Sequence, residues 1–506
     1  MKKNLILFTT CLLFIANGWA QEPPSFIKDS LDAYVEKALT DWQIPGVAVC
    51  VVKDGKVVVM KGYGVKETGT NNKVDENTLF MIGSNSKAFT ATALAMLAVD
   101  KKLSLDDPVK KWLPDFKLYD PWVTKEANIR DLLCHRLGFE TFQGDFIYFD
   151  SDLSIAEVRE KFGRVKPMYS FRSHWGYTNA AFMTAGEIIP KVTGQSWATY
   201  VKEKIFTPLG MSNTLALSKD IHTAFNKATA HTVAQGVLKK IPYGNIDNLA
   251  PAGSISSSIN DMSHWVLAQL NNGKYNDKQV IPTGAIAQTW SPNSILGNGG
   301  HPFNKAHFSL YGLGWFLEEY SGRKIVAHTG GVNGFVTSVT LVPEEKLGII
   351  VLTNTDANSL FAALKDEILD AYLGLPYRNY SQVRLSSYKT EQQEEAFWLK
   401  QKQDTIAMHI ATTLPVTTYA GNYEHDIYGK MTIASENGKL VARFEHHHGR
   451  FATLEPLGKN RFLATFNDPL YGIKVWPFTI ANGKVKSVTV TVADFVEFTP
   501  YEFYRK

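Results

Sequence analysis

The sequence predicts an α+β chain: one antiparallel sheet flanked by helices, an all-helical middle, and a small all-β domain at the C-terminal end. Three observations predict it. Two apolar runs, 47–52 and 57–63, meet at Lys53-Asp-Gly-Lys56, which reads as a hairpin turn. Three more strand-like runs, 324–328, 335–342 and 347–353, come far later, and helices are expected at 27–41 and about 360–373, outside both sets. From about Pro415 the pattern changes to short alternating strands. If the early and late strands share one sheet, the terminal helices cover one face and the helical middle covers the other.

Taken in order, residues 1–20 read as an export signal. Lys2 and Lys3 precede an apolar stretch from Leu5 to Ile15, and Gly18-Trp19-Ala20 is a small-residue cleavage site before Gln21. Residues 21–375 are expected to form the main domain. After the hairpin, the chain enters a helix from Ser86 whose residues are small and apolar up to Ala98. Leu103-Ser-Leu-Asp-Asp-Pro-Val109 is a loop whose Pro108 can open a short helix through Trp112. A helical turn at 129–133 leads into Cys134-His-Arg-Leu-Gly138. Aromatics and glycines dominate from there to Trp175, which suits an irregular segment walling a cleft. Helices are expected at 180–192 and 196–205, and Ser258-x-x-Asp261 is a capping-box-like start to a helix over 262–270. Gly330-Gly-Val-Asn-Gly334 reads as a flexible turn. Residues 376–412 are expected to be a linker at 376–383 and a polar helix at 388–402. The C-terminal β-domain, 413–506, is expected to hold strands at 431–434, 440–444, 462–466, 475–480 and 485–492.

At 506 residues, 44% hydrophobic and 20% charged, the chain has length for two or three domains and material for a sizeable core. A formal net charge of +4 is small for this length, and no basic stripe carries interleaved aromatics, so no nucleic-acid partner is expected. No later apolar run reaches the roughly 18–20 residues that span a bilayer. A periplasmic or secreted protein is expected, without stable membrane insertion after signal removal. Cys50 and Cys134, which remain after cleavage, fall in an apolar strand and an apolar helix and read as buried free thiols. The oligomeric state stays open.

The chemistry gathers at Phe80-Met-Ile-Gly-Ser-Asn-Ser-Lys87. With Ser84 at a helix mouth, Lys87 lies one turn on, along the same face. The first-turn N–H groups and the helix dipole also face that hydroxyl. A serine is a poor nucleophile until a neighbour removes its proton. S-x-x-K alone occurs often by chance, but two further motifs follow in order, Tyr177-Thr-Asn179 and His328-Thr-Gly330. Acyl transfer needs a nucleophile, a proton acceptor and donors for the developing oxyanion. Ser84 supplies the first, and Lys87 with Tyr177 the second. A tyrosine is a weak base at neutral pH unless a cation lowers its pKa, and Lys87 can supply one. Which of the two takes the serine proton stays open. Asn179 can hydrogen-bond both Lys87 and a substrate amide.

This ordered set resembles the penicillin-recognising serine hydrolases, most closely the class C β-lactamases and their relatives among D,D-carboxypeptidases, D-aminopeptidases and esterases. The resemblance runs from about residue 27 to residue 373 and includes Leu103-x-Leu-Asp-Asp-Pro-Val109, Ile129-Arg-Asp-Leu-Leu133, Trp175-Gly-Tyr-x-Asn179 and Pro251-Ala-Gly253. It implies a β-lactamase/transpeptidase-like fold and an acyl-enzyme on Ser84, with Lys87 and Tyr177 catalytic. Asn179, His328, Thr329, Gly330 and Gly331 would form the substrate and oxyanion site, the oxyanion donors being the N–H groups of Ser84 and Gly331. The implied substrate is a small amide, a peptide (D-residues included) or an ester, with neither metal nor other cofactor. The alternatives are a true β-lactamase and a catalytically silent protein that binds cell-wall peptides. Tyr419-Ala-Gly-Asn-Tyr423 looks like the small β-domain often appended to such hydrolases.

Two departures stand out. The lactamase pattern has lysine where this chain has His328, so a weaker hold on a penicillin carboxylate and a pH-dependent activity between about 6 and 8 are expected. Relatives usually carry a small hydroxyl residue where Arg136-Leu-Gly138 departs, so an altered pocket is expected. Gln143 falls roughly where relatives place a substrate-contacting glutamine. His446-His-His448 lacks the helical spacing of a metal site, His135 reads as a structural hydrogen-bonding residue, and the aromatic run 139–149 as pocket wall or core.

Overall fold

A computed structural model describes residues 22–506. The expected export signal and its cleavage site lie outside the described residues. Eight strands form one sheet: β1 Gly46–Lys53, β2 Lys56–Gly64, β3 Ser294–Asn298, β4 Phe308–Tyr311, β5 Phe316–Tyr320, β6 Arg323–Val332, β7 Phe335–Val342 and β8 Leu347–Thr353. Their order is β2-β1-β8-β7-β6-β5-β4-β3, with every neighbour antiparallel. The early hairpin therefore joins the late strands through β1 and β8, with Val49 opposite Val351.

The two faces follow from the period-two alternation of strand side chains. Val47, Val49 and Val51 pack with Ile349 and Val351 against the terminal helices α1 (Leu31–Asp41) and α6 (Leu360–Tyr372), where Val35, Trp42, Leu364 and Ile368 are buried. Ala48, Cys50 and Val52 face the other way, with Ile350 and Leu352, toward the helical middle. There α2 (Ser86–Val99) is mostly apolar and buried on every side from Ser86 to Leu97, Phe89 stacking on Trp265 of α5 (Ile259–Leu270). A helix buried on all sides needs no amphipathic stripe, only small residues that let its neighbours approach. α3 (Ile129–Leu133) opens on a full capping box between Asn128 and Asp131, and α4 (Asn179–Thr193) starts directly after Tyr177. Cys50 and Cys134 are buried and unpaired.

The structure corrects three expectations about the elements. β3, β4 and β5 extend the sheet beyond the three late strands predicted; they are short, polar and partly exposed, so they carry no apolar run. β6 continues through Gly330 and Gly331 to Val332, so the flexible turn shrinks to Asn333-Gly334, where Gly334 takes φ +75°. The crossing helix, α7 Tyr380–Ala407, begins inside the expected linker, because Tyr380, Ser381 and Leu385 are buried against the main domain.

The C-terminal domain is a closed barrel of eight antiparallel strands in sequence order, β9 Gly421–His425, β10 Gly429–Glu436, β11 Lys439–Phe444, β12 Phe451–Pro456, β13 Arg461–Phe466, β14 Ile473–Ala481, β15 Lys484–Val490 and β16 Tyr501–Arg505. Three of these, β9, β12 and β16, add to the five predicted. Pairing of Tyr423 with Arg505 closes it, which leaves no free sheet edge. Its interior is filled by Tyr423, Ile433, Phe444, Phe462, Trp476 and Phe503. The barrel docks on the main domain at the aromatic run. Phe146 is buried between Phe444, Tyr428, His447 and Tyr471 of the barrel. Asp150 receives Arg450 at 2.8 Å, while His446 and His448 both bond the carboxylate of Asp152. Among the described residues no helix is long and apolar enough to cross a membrane.

Candidate active site

Ser84 sits in the single 3-10 turn Gly83–Asn85 that leads into α2. This turn is pressed against β6. A Cβ on Gly330 would lie 1.8 Å from the Ile82 carbonyl oxygen, and one on Gly83, at φ +53°, would lie 2.9 Å from the Gly331 nitrogen. Only glycine permits both the left-handed turn and this approach. Asn85 and Thr337 tie the turn down from below, Asn85 Nδ2 donating to Thr337 Oγ1 at 2.9 Å and Thr337 Oγ1 to the Ile82 carbonyl at 2.9 Å. The backbone of Gly331 is thereby held beside the Ser84 turn.

Lys87 is fully buried, its Nζ 3.0 Å from Ser84 Oγ, 2.7 Å from Asn179 Oδ1 and 2.8 Å from the Ala252 carbonyl oxygen. The last contact gives the Pro251-Ala-Gly253 stretch a physical role: it delivers a backbone acceptor to the lysine. Burial pushes the Lys87 amine well below its ordinary pKa. Two of its three partners are carbonyl oxygens, which only accept. When the amine gives up one proton, its lone pair therefore faces Ser84, the one neighbour with a proton to donate.

The Tyr177 ring lies over this amine, 4.6 Å from Nζ to the ring centroid. Its backbone is pinned to the aromatic run by Phe142 N–H donating to the Tyr177 carbonyl at 2.8 Å. Burial raises the phenol far above its usual pKa, although the Ser84 hydroxyl is near enough to offset part of that. The phenol oxygen makes no hydrogen bond of ordinary geometry, yet it shares a cavity with Ser84. His135 underlies the ring at 4.3 Å and accepts the Thr178 N–H at Nδ1, 3.0 Å away, so it positions the motif.

His328 corrects the expectation of a partly charged group. It is buried, its Nδ1 donates to the Thr329 carbonyl at 2.6 Å, and its Nε2 accepts from the Tyr311 hydroxyl at 3.0 Å. Burial and nearby Lys87 push its pKa down to about 3, so the ring is neutral throughout the pH 6–8 range. Thr329 and Gly331 border the cavity, while Gly330 is buried under the Ser84 turn.

Gln143 is a second correction. Its Oε1 accepts from Glu140 N–H at 3.0 Å and its Nε2 donates to the Lys166 carbonyl at 2.8 Å, which turns the side chain into the loop and away from Ser84. Asp145 takes the place beside the site. It is buried, borders the cavity, and accepts from Asn179 Nδ2 at 2.5 Å and from the Tyr148 hydroxyl. Burial raises its pKa to about 7 despite those bonds and the nearby lysine. Arg136 does not reach the cavity; its guanidinium bonds the buried Asp131 at 2.5 Å.

The cavity has a volume of about 240 Å³. Its walls are aromatic: Phe142, Phe149, Trp175, Phe316 and, from the barrel domain, Phe495. Among the described residues, no lysine or arginine lines it. The same residues hold no cluster of three or more metal-ligating side chains, and His446 and His448 are spent on Asp152.

The chain is similar to several known proteins. Unguisins hydrolase ungD′ of Aspergillus campestris is 30% identical over 424 residues, covering 79% of this chain and 76% of that protein. Protein flp of Staphylococcus aureus is 28% identical over 72% of this chain and 70% of its own length. Among solved structures, the octameric penicillin-binding protein homologue from Pyrococcus abyssi superposes with a TM-score of 0.59 at 20% identity, over 94% of this chain and 99% of that one. A D-stereospecific amidohydrolase from Streptomyces sp. gives a TM-score of 0.53 at 20% identity, over 67% of this chain and 98% of its own. These two share the fold. Residues 407–505 match a domain of unknown function, DUF3471, which spans the barrel. The beta-lactamase profile matches residues 31–373, well over half of the sequence and every motif residue described above, so this chain belongs to the beta-lactamase family.

Proposed function

We propose that this beta-lactamase-family hydrolase works through an acyl-enzyme on Ser84 and cleaves neutral amides, peptides or esters that carry no free carboxylate beside the scissile bond. The observation that carries the reading is the Lys87 amine, buried, lowered in pKa, and facing Ser84 Oγ at 3.0 Å. Neutral Lys87 takes the Ser84 proton as Oγ bonds to the substrate carbonyl carbon. The N–H groups of Ser84 and Gly331 receive the oxyanion. Tyr177, kept protonated by its burial, passes its proton to the leaving nitrogen or oxygen and is replenished from Lys87. Water then cleaves the acyl-enzyme, releasing the acid and restoring Ser84.

The substrate class follows from charge. A penicillin or a C-terminal peptide carboxylate needs a cation near the nucleophile. Here the position that could hold one is a neutral His328, and Asp145 adds a carboxyl to the wall. Aromatic walls favour apolar substituents. The similar proteins include an unguisins hydrolase and a D-stereospecific amidohydrolase, and the second name, an amide-cleaving one, supports the same class.

Mass spectrometry after incubation with a fluorophosphonate tests the nucleophile: an adduct on Ser84 is expected, and intact protein would sink the reading. A panel of nitrocefin, a nitrophenyl ester, a D-amino-acid amide and a D-Ala-D-Ala peptide tests the substrate class. Turnover of ester and amide well above the two carboxylate-bearing compounds is expected.

A further inference from the structure

The barrel contributes more than a docking surface. Between β15 and β16 the chain makes a loop, residues 491–500, that leaves the barrel wall and enters the main domain's cleft. The loop is braced at its base: Trp476 Nε1 donates to the Thr491 carbonyl at 2.9 Å, Ala493 N–H to the Tyr471 carbonyl at 2.9 Å, and Val492 and Val496 are buried. Three of its residues, Phe495, Glu497 and Phe498, meet the main domain around the cleft.

Phe495 borders the same cavity as Ser84 and Tyr177. A Cβ on Gly331 would lie 3.2 Å from Phe495 Cε2, so the ring stands directly beside the strand that offers the second oxyanion donor. Phe149 meets the ring edge-on, with centroids 6.2 Å apart. Two positions on, Glu497 is 1% exposed. Its carboxyl accepts the N–H of Gly144 at 2.6 Å and of Phe146 at 2.9 Å. These two residues flank Asp145, which holds Asn179, which holds Lys87. Phe498 stacks on Phe142, itself a wall of the cavity, at 5.6 Å.

Resting on the acyl-enzyme reading above, we propose that loop 491–500 of the C-terminal barrel completes the active site: Phe495 sets the size of the substrate substituent that passes Gly331, and Glu497 is a positioning residue for the turn that carries Asp145. The barrel thus belongs to the specificity apparatus. An exposed aromatic on a braced loop bounds a pocket without entering the chemistry. A buried carboxyl that satisfies two backbone donors fixes a loop that otherwise has no regular structure.

The test uses the full chain. Fluorophosphonate labelling of wild-type Ser84 comes first, because its absence sinks the serine-hydrolase reading and not the role of the loop. kcat/KM is then measured over nitrophenyl esters of increasing acyl length and over amides of increasing leaving-group size. Phe495 is partly exposed, so F495A folds without opening the core. It is expected to raise kcat/KM for the larger members by about tenfold relative to the smallest in one of the two series. A size profile within about twofold of wild type in both series overturns the role of Phe495. E497A is expected to lower kcat by about tenfold with KM changed by less than about threefold, and E497Q, which keeps one acceptor, to recover part of the loss. E497A folded, by circular dichroism, and at wild-type kcat overturns the positioning role.

Discussion

Asn179 Nδ2 donates to Asp145 Oδ2 at 2.5 Å, and this bond decides which end of the amide faces Lys87. With its NH2 group spent on the carboxylate, Asn179 presents Oδ1 to the lysine. Asp145 also acts on Lys87 by charge, since its carboxylate favours the ammonium form. The carboxyl itself has a pKa of about 7, so its charge appears as the pH rises through neutrality. A base must be unprotonated, so activity is expected to rise with pH. In D145N the pull on the lysine proton is gone, Lys87 becomes neutral at lower pH, and the acid limb of kcat/KM is expected to move down by about one pH unit. A pH–rate profile for an ester substrate checks this; an unmoved or raised limb argues against it.

His328 is neutral from well below pH 6 upward, so it cannot generate that limb. H328Q keeps a neutral hydrogen-bonding side chain and is expected to leave the shape of the pH profile between about 6 and 8 unchanged. H328K adds the missing cation. Its expected signature is a gain in nitrocefin turnover relative to a neutral ester, because a carboxylate then has a partner. A flattened profile in H328Q would mean that the imidazole titrates in this range after all.

Gly83 carries the approach of the Ser84 turn to the Gly331 strand. In G83A the new methyl carbon falls 2.9 Å from the Gly331 nitrogen, on a backbone at φ +53°. The strain costs about 1–3 kcal/mol. Displacing one oxyanion donor costs about 100-fold in kcat. Ester kinetics and a denaturation curve on the same protein separate the two effects. Full activity with reduced stability would mean that the Gly331 N–H receives no charge in the transition state.

How much of this site is legible in the sequence depends on whether a residue's chemistry is local. Ser84 and Lys87 are three apart on one helical turn, and Tyr177 and Asn179 sit at the start of α4, so short motifs announce them. Ala252 acts through a backbone carbonyl, and its only trace is the Pro251-Ala-Gly253 pattern. Asp145 lies in an aromatic loop where nothing nearby distinguishes a buried carboxyl from a solvated one. Gln143, two residues away, has the expected side chain but is captured by Glu140 and Lys166. The apolar strands β1, β7 and β8 are readable because both faces are buried. β3, β4 and β9 are short and partly exposed, and pairing defines them more than composition. Phe495 and Glu497 reach the cleft only because two domains dock, a long-range event with no local signature.

That docking rests on a buried ion pair whose loss should be measurable. Asp150 Oδ2 receives Arg450 Nη2 at 2.8 Å and Asn333 Nδ2 at 2.8 Å, with the carboxylate side chain 2% exposed and the guanidinium 17% exposed. Burial raises the Asp150 pKa and Arg450 lowers it. R450M removes the compensating charge and leaves the carboxylate buried, which is expected to cost about 3 kcal/mol at pH 8. In the variant the folded-state pKa of Asp150 moves further above its unfolded value, so folding there favours the protonated form. The penalty is therefore smallest in acid and grows as the pH rises from about 4 toward the raised value. Denaturant midpoints at pH 5 and pH 8 read the slope. The double variant D150N/R450M removes the buried charge of Asp150 and leaves only Asp468, 13% exposed and 3.2 Å from Arg450 Nε in the wild type, without its cation, so it is expected to recover part of the loss at pH 8. A single variant within about 0.5 kcal/mol of wild type would place the docking energy in the apolar contacts of Phe146 instead.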